Sequence, residues 1–520
     1  MRPISFRIIV KPPTLEKGPD RRTRAWVIAA ALVALFLGAM DSLIMSTAMP
    51  TIVAELGGMH LYAWVYSAYF LSRAVSLPVF GKLADLYANK TIFLISIGLF
   101  VISSVAAGLS DNMSFLIGAR VFQGIGAGGN FALVYIVLAD VSPVGERART
   151  MSFASSIWGV ASVLGPTLGG FIVTFLSWRW IFFINVPLGL LSMAGLFFFL
   201  VEMREKKKAV HIDIGGAVTL STAILGILSV FLTGGRSYAW VSPQMALLWG
   251  LTLFSAVGFY LAERRAKEPI LPLDFFKKRS FSTGNLAVFM SSFSIFSLFA
   301  FAPVFIQGAQ GRSPMRVGLA MLSLSMGWSA GSVILGQISN RLDNKRAALA
   351  GAVMLIAGCA LTLTFTVHTT MTVCFWVFFL IGLGMGFTTL ATLVIVQNSV
   401  DPADLGVATS SNQFARTLGG TVGVGICGGF MNTALWRGME KLVQGGVIPT
   451  GEGTGPAVAG KSLETLLQPE FQERLSETAR MAFQKTVAQG VSVVFWVVFL
   501  ASLGCLLLCA WLPGDRASES

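Results

Sequence analysis

Apolar positions run along this chain in long blocks rather than in alternation. Stretches of about 20 residues with hardly a charge recur from Trp26 to Trp511, each bounded by a short polar segment. That is the length an α-helix needs to cross the hydrocarbon of a bilayer, at about 1.5 Å per residue through about 30 Å. The blocks predict spans over residues 25–48, 61–80, 91–108, 115–138, 151–175, 180–201, 213–233, 244–262, 282–305, 318–338, 347–367, 372–397, 408–431 and 489–511. An all-α polytopic membrane protein with fourteen transmembrane helices follows. Two charged connectors, MREKKKAVH and ERRAKEPILPLDFFKKRS, divide it. The expected organisation is a basic cytoplasmic tail over 1–24, a six-helix bundle over 25–201, connectors and an inserted helix pair over 202–281, and a second six-helix bundle over 282–520 that includes a long outer loop at 432–488.

An echo within the chain points to related halves. GKLADLYANK follows the second span and GQISNRLDNK the tenth, so Gly81, Asp85, Asn89 and Lys90 have counterparts at Gly336, Asn340, Asn344 and Lys345. The same placement in two six-span blocks around an inserted pair is what duplicated transporter halves produce.

Composition narrows the class. Of 520 residues, 54% are hydrophobic and 12% charged, against about 25% charged in soluble domains, which excludes a soluble enzyme. The first 24 residues are basic but hold no apolar core with a cleavage site, so they read as a tail rather than a signal peptide. Cys359, Cys374, Cys427, Cys505 and Cys509 all fall in apolar runs, and His60, His211 and His368 lie far apart. Neither a disulfide framework nor a metal site is expected, and no cofactor. Of the 38 basic residues, 25 fall on the side of the N-terminus and ten on the other, six of those ten in the long 432–488 loop. Both termini are therefore expected in the cytoplasm. The net charge of +13 reflects this bias and an affinity for anionic lipid, and needs no nucleic acid.

The remaining basic residues, Arg73, Arg120 and Arg416, lie within spans, and Asp41 is the acid well inside one; Asp140 and Asp213 sit at inner ends. A carboxylate in hydrocarbon must be neutral, paired or facing water, so Asp41 is the proton site by elimination. Counting residues puts Asp41 and Arg120 at similar depth, about 22 and 21 Å from the inner face. Either the pair exchanges a proton, or it is a static lock between spans 1 and 4. Gly165, Pro166, Gly169 and Gly170 let span 5 bend or pack closely. The runs GIGAGG and GLGMG read as tight packing. GPAVAGKS, from Gly455 to Ser462, matches a phosphate-loop pattern but follows no buried strand and falls in the outer loop, so it is set aside. The helix-like stretch SLETLLQPEFQERLSETARMAFQKTVAQ that follows suits a connector, a membrane-surface segment or a dock for an extracytoplasmic partner.

Several motifs together resemble the major facilitator superfamily, in its fourteen-span drug:proton antiporter branch of the EmrB/QacA type. MDSLIMSTAMPTI resembles that branch's first-helix motif, with Asp41 and Pro50 in matching places, and GKLADLYANK its inner-loop motif. ARVFQGIGAGG, with Arg120 and Gln123, resembles the fourth-helix motif; GPTLGG the fifth-helix antiporter motif; WRWIFFINVPLG the segment after it; and NQFARTLGG, with Arg416, the thirteenth-helix pattern. The chain departs from the inner-loop motif at Leu86, Ala88 and Asn89, where the family has Arg, Gly and Arg.

The resemblance implies a proton-coupled exporter of hydrophobic or amphipathic compounds in the cell membrane, working by alternating access. In it Asp41 and Arg120 couple protons, Gly81, Asp85 and Lys90 gate with the span 5 glycines, and Arg73, Gln123 and Arg416 are candidate substrate contacts. Arginines in spans also snorkel or bond helix carbonyls, and that reading stays open for Arg73 and Arg416. An exporter of lipid or anionic metabolites, and a non-transporting sensor or scaffold, are the alternatives.

Overall fold

The computed structural model describes residues 20–57, 61–202, 213–234, 238–266, 269, 271, 273–312, 314–339, 341–444 and 476–513. Most of the basic tail, the 203–212 connector and the stretch with GPAVAGKS lie outside them, as does Asn340.

The described chain is helical from end to end. The helices are α1 (Arg21–Leu56), α2 (Tyr62–Leu86), α3 (Asn89–Gly108), α4 (Met113–Asp140), α5 (Arg147–Phe175), α6 (Trp180–Phe183), α7 (Asn185–Phe199), α8 (Ile214–Thr233), α9 (Pro243–Arg265), α10 (Arg279–Val304), α11 (Pro314–Ile338), α12 (Asn344–Thr362), α13 (Met371–Asn398), α14 (Leu405–Gln444) and α15 (Glu477–Trp511). Twelve spans are long and apolar enough to cross a membrane, among the described residues. This is two fewer than the fourteen expected from the blocks, the difference being α2 and α5. Composition accounts for α2, which carries Arg73, Lys82 and Asp85, whereas in α5 the unbroken described stretches are too short to be counted. Both helices lie along the seam between the two groups of helices.

Packing sorts the helices by glycine and by face. α4 sits between α2 and α3, and α13 between α11 and α12. Gly126 of α4 leaves room for the backbone of α3, where a Cβ would come within 2.6 Å of Phe100 N. Gly384 of α13 does the same against α12, within 2.5 Å of Leu355 N. The GIGAGG and GLGMG runs thus hold equivalent places in the two groups. α1 packs on α4, α5 and α7, while α10 packs on α13, α14 and α15. The seam is made by α2 with α14 and α5 with α11. α8 closes over one side of it, where Leu220, Ile224 and Leu228 meet Leu71 and Ala74 of α2 and Phe414 and Leu418 of α14. α9 packs on α8 and turns Leu247, Leu253 and Phe254 outward.

Large apolar side chains such as Ile102, Phe198 and Phe254 are exposed, whereas Asp41, Arg120, Gln123, Asn130 and Asn185 are wholly buried. That inversion suits a chain whose solvent is lipid. α14 and α15 run well past the spans expected at 408–431 and 489–511. They stay paired there, with Leu435 and Met439 buried against Phe483 and Val487. The ends of the 432–488 loop are therefore a helical pair, and its middle lies outside the described residues.

Candidate functional site

The centre of the first helix group holds a polar cluster that the local sequence builds in steps. Asn112 caps α4, its side-chain oxygen accepting from Phe115 N at 2.8 Å. Two turns on, Arg120 and Gln123 share one face three residues apart. Asp41 arrives on α1, Ser104 on α3 and Asn185 at the start of α7.

Arg120 Nη1 donates to Asp41 Oδ2 at 2.6 Å and to Gln123 Oε1 at 2.8 Å. Gln123 Nε2 donates to Asp41 Oδ1 at 3.0 Å and to Ser104 Oγ at 3.2 Å. Asn185 Nδ2 donates to Ser104 Oγ at 2.9 Å and, more weakly, to Asp41 Oδ1 at 3.4 Å. Ser104 in turn donates to the Phe182 carbonyl at 2.9 Å. The Arg120 guanidinium lies 4.1 Å from the centre of the Tyr69 ring, a cation–π contact. Both carboxylate oxygens of Asp41 thus face donors in a wholly buried setting, where a charge-assisted hydrogen bond is strong and an unpaired charge costly.

Arg120 Nη2 has no hydrogen-bond partner among the described residues.

The seam carries the repeated motif. Asp85 on α2 accepts from the backbone of Gly406 and of Val407, each at 2.8 Å, at the first turn of α14. A side chain at Gly81 would collide with Ser410 Oγ and stand 2.8 Å from Gly406 O. In the second copy a Cβ on Gly336 of α11 would stand 2.6 Å from Ser152 Oγ and 3.1 Å from Ala148 O, both of α5. Asn89, where the resembled motif has arginine, donates from Nδ2 to Asp140 Oδ2 at 3.0 Å. The Asn89 amide thus ties α3 to α4 at the position where the resembled motif has arginine. Lys90 donates its backbone N–H to Glu202 at 3.5 Å and rests its ammonium 5.1 Å from the Phe197 ring. At the same end, Arg24 of α1 pairs with Glu146 at 2.7 Å.

The glycines of the fifth span split by environment. Gly165 lies against α1, where a Cβ would approach Leu43 Cβ to 2.9 Å; Gly169 is buried, and a side chain at Gly170 would meet nothing within 4 Å. α5 continues as helix through Pro166. At the far end of α1, Glu55 accepts from Trp178 Nε1 at 2.7 Å and pairs with Arg179. Those two bonds, the Arg179 one first, hold its carboxyl below the usual range.

Sequence reasoning brought Asp41, Arg120 and Gln123 forward, and the structure brings the three together. It does not bring Arg73 or Arg416 into that cluster; they lie on α2 and α14 at the seam. Ser104, Asn185 and Tyr69 were missed. Asn185 alone had a visible signal, an amide inside WRWIFFINVPLG with no turn to explain it. Among the described residues there is no group of three His, Cys, Asp or Glu side chains able to hold a metal.

Comparison with known proteins agrees across nearly the whole chain. Residues 31–424 match the family model described as Major Facilitator Superfamily. The chain is 35% identical over 418 residues to the multidrug transporter protein MdtP of Bacillus subtilis (strain 168), covering 80% of this chain and 77% of that one. It is 30% identical over 486 residues to multidrug resistance protein 3 of the same organism, covering 93% of each. Among solved structures, that of the human organic anion transporter MFSD10 superposes with a TM-score of 0.60 over 92% of this chain and 99% of that one. At 13% identity this likeness is one of fold alone.

Proposed function

The chain belongs to the Major Facilitator Superfamily and is a multi-pass membrane transporter, not an enzyme, and from that premise we propose that it exports small amphipathic compounds in exchange for protons. Its relatives MdtP and multidrug resistance protein 3 are multidrug proteins by name, which supports efflux. The observation that supports the proton is the Asp41–Arg120–Gln123 cluster with Asn185, a carboxylate held by three donors where hydrocarbon would otherwise forbid its charge.

In this reading α2 and α5 also cross the bilayer, making fourteen spans, and 25–201 and 282–520 rock about the seam. The bias of basic residues supports cytoplasmic termini, with the Asp85 end of the seam on the same side, and the bacterial relatives support the cell membrane. With Asp85 seated on the start of α14 that end is shut. Cargo reaches the site when it opens. A proton arriving from outside at Asp41 releases Arg120, and the changed cluster biases the two halves toward the other arrangement. The 432–488 loop, with its helical ends, offers a surface for an extracytoplasmic partner.

Proteoliposomes with an imposed pH gradient test the coupling. Rhodamine 6G should accumulate against its gradient with native protein and not with Asp41→Asn. A variant that still concentrates the dye at the native rate removes Asp41 from the proton path.

A further inference from the structure

Arg73 is a buried cation that the proton cluster does not use. It is 8% exposed, and its Nε and Nη1 have no hydrogen-bond partner among the described residues. Helix carbonyls, the ordinary way to quiet an arginine in a span, therefore leave two of its nitrogens unserved. What surrounds it is aromatic. Its guanidinium carbon lies 4.2 Å from the centre of the Phe131 ring and 5.5 Å from that of Phe70. Phe131 leans on Trp158, ring centres 5.6 Å apart, and the Trp158 indole N–H is itself buried without a partner.

A second cation faces it from the other half. The neighbours of Arg73 on α2, Leu71 and Ala74, pack with Phe414 and Leu418 of α14, which flank Arg416. Both arginines therefore lie on the α2–α14 contact of the seam. Arg416 is 7% exposed and lies 6.0 Å from the centre of the Trp328 ring. One turn before it, Gln413 is 1% exposed, and neither end of its amide has a hydrogen-bond partner among the described residues. Two like charges buried at one level repel, and Asp41, which could have balanced them, is already held by Arg120. The unserved groups are mainly donors: guanidinium N–H, indole N–H and amide N–H. Donors and aromatic faces together describe one kind of ligand.

We propose that Arg73 and Arg416, one from each half, bind the anionic group of an amphipathic organic anion, its apolar body lying against Phe131, Trp158 and Trp328. This rests on the export reading and names the charge of its cargo. Because the two arginines come from opposite sides of the seam, an anion between them ties cargo occupancy to the approach of the halves. A lipid headgroup offers the same chemistry, so the test separates the two sources.

Sulforhodamine B and rhodamine 6G share a xanthene ring system and differ in net charge. Their binding to the purified full chain in detergent is read by fluorescence anisotropy, and their movement in proteoliposomes under a pH gradient. Native protein should bind and move sulforhodamine B. Arg73→Ala and Arg416→Ala should each raise its Kd at least tenfold while changing that of rhodamine 6G less than twofold, and Arg73→Lys should recover most of the loss. Monodisperse elution of each variant guards against misfolding, and Arg416→Ala tests the site independently if Arg73→Ala does not fold. Unchanged sulforhodamine B binding in both alanine variants overturns the inference. So does phosphatidylglycerol displacing sulforhodamine B from native protein while sulforhodamine B does not move in proteoliposomes that do move rhodamine 6G, since the site then belongs to lipid. Arginine-dependent binding of sulforhodamine B with no pH-driven movement of either dye leaves the anion site standing and sinks the export reading instead.

Discussion

Asp85 and Gly406 join the two halves of the molecule through one 2.8 Å hydrogen bond, a carboxylate on α2 taking a backbone N–H at the first turn of α14, with Val407 supplying a second to the same side chain. A carboxylate at a helix N-terminus meets both unsatisfied donors and the positive end of the helix dipole. Here cap and helix belong to different bundles, so the interaction exists only while they touch at this end.

Asp85→Ala should therefore destabilise the shut seam rather than the fold. The loss is about 1–2 kcal/mol, or a shift of roughly 5- to 30-fold in the balance of states. Ser410, facing Gly81 across the seam, supplies the probe. In the Asp85→Ala background Ser410→Cys should react with a membrane-impermeant maleimide several times faster than in the native background, with the melting temperature little changed. Equal labelling in both backgrounds would remove Asp85 from the gate.

The Asp41–Arg120 pair makes a different prediction, because both partners are buried in one bundle. Arg120→Ala leaves an ionised carboxylate without its counter-ion and should cost about 3–5 kcal/mol. Asp41→Leu with Arg120→Met removes both charges and should restore most of that stability. Thermal unfolding in detergent checks the order: native and double variant close together, Arg120→Ala well below. Transport should fail in both variants, and a double variant that still pumps against a pH gradient would reduce the pair to a structural lock.

How much of this was legible in the sequence depends on range. Apolar run length yields the helices directly, because a backbone in lipid has few other ways to satisfy its hydrogen bonds. Asp41 and Arg120 stood out for the same reason, as charges in otherwise uncharged runs. Ser104 and Asn185 did not, since a lone serine or asparagine in a span is common and their convergence depends on how α3, α4 and α7 pack. α2 was readable as a helix but weaker as a span, because it carries Arg73, Lys82 and Asp85. The duplicated GKLADLYANK and GQISNRLDNK were visible as an echo, while the partner helix of each copy was not.

Glu55 sets an acid limit on the C-terminal end of α1. Its carboxyl sits below its ordinary value of 4.5 because Arg179 and Trp178 bond the charged form. A group depressed on folding stabilises the fold fully above its unfolded pKa and loses that contribution as pH falls through the lower folded value. Native protein and Glu55→Gln should therefore differ in melting temperature above about pH 4.5, and the gap should close as the pH is taken lower. The pair is half exposed, so the gap is small and should shrink further in high salt. A gap that persists at pH 2.5 would mean that Glu55 acts through shape and not charge.

Gly81 and Gly336, matching positions of the repeated motif, make the sharpest contrast. At Gly336 the nearest obstacles to a new Cβ are Ser152 Oγ at 2.6 Å and Ser152 Cβ at 2.7 Å, with Ala148 O next at 3.1 Å, a tight contact that a shift of a few tenths of an ångström relieves. Gly336→Ala overpacks the contact of α11 with α5 by about 1–3 kcal/mol, in the shut state alone, and should slow transport accordingly. Adding Ser152→Gly removes both near atoms and should restore the rate. At Gly81 the obstacles include Gly406 O at 2.8 Å, a backbone atom that no substitution deletes. Gly81→Ala should therefore stay slow when Ser410→Gly is added. Transport rates of the four variants in proteoliposomes decide it: rescue in the second copy and none in the first means that the seam closes backbone to backbone between α2 and α14, and through a side chain between α5 and α11. Rescue in both copies would show that the α2–α14 contact has slack that the geometry at Gly406 denies.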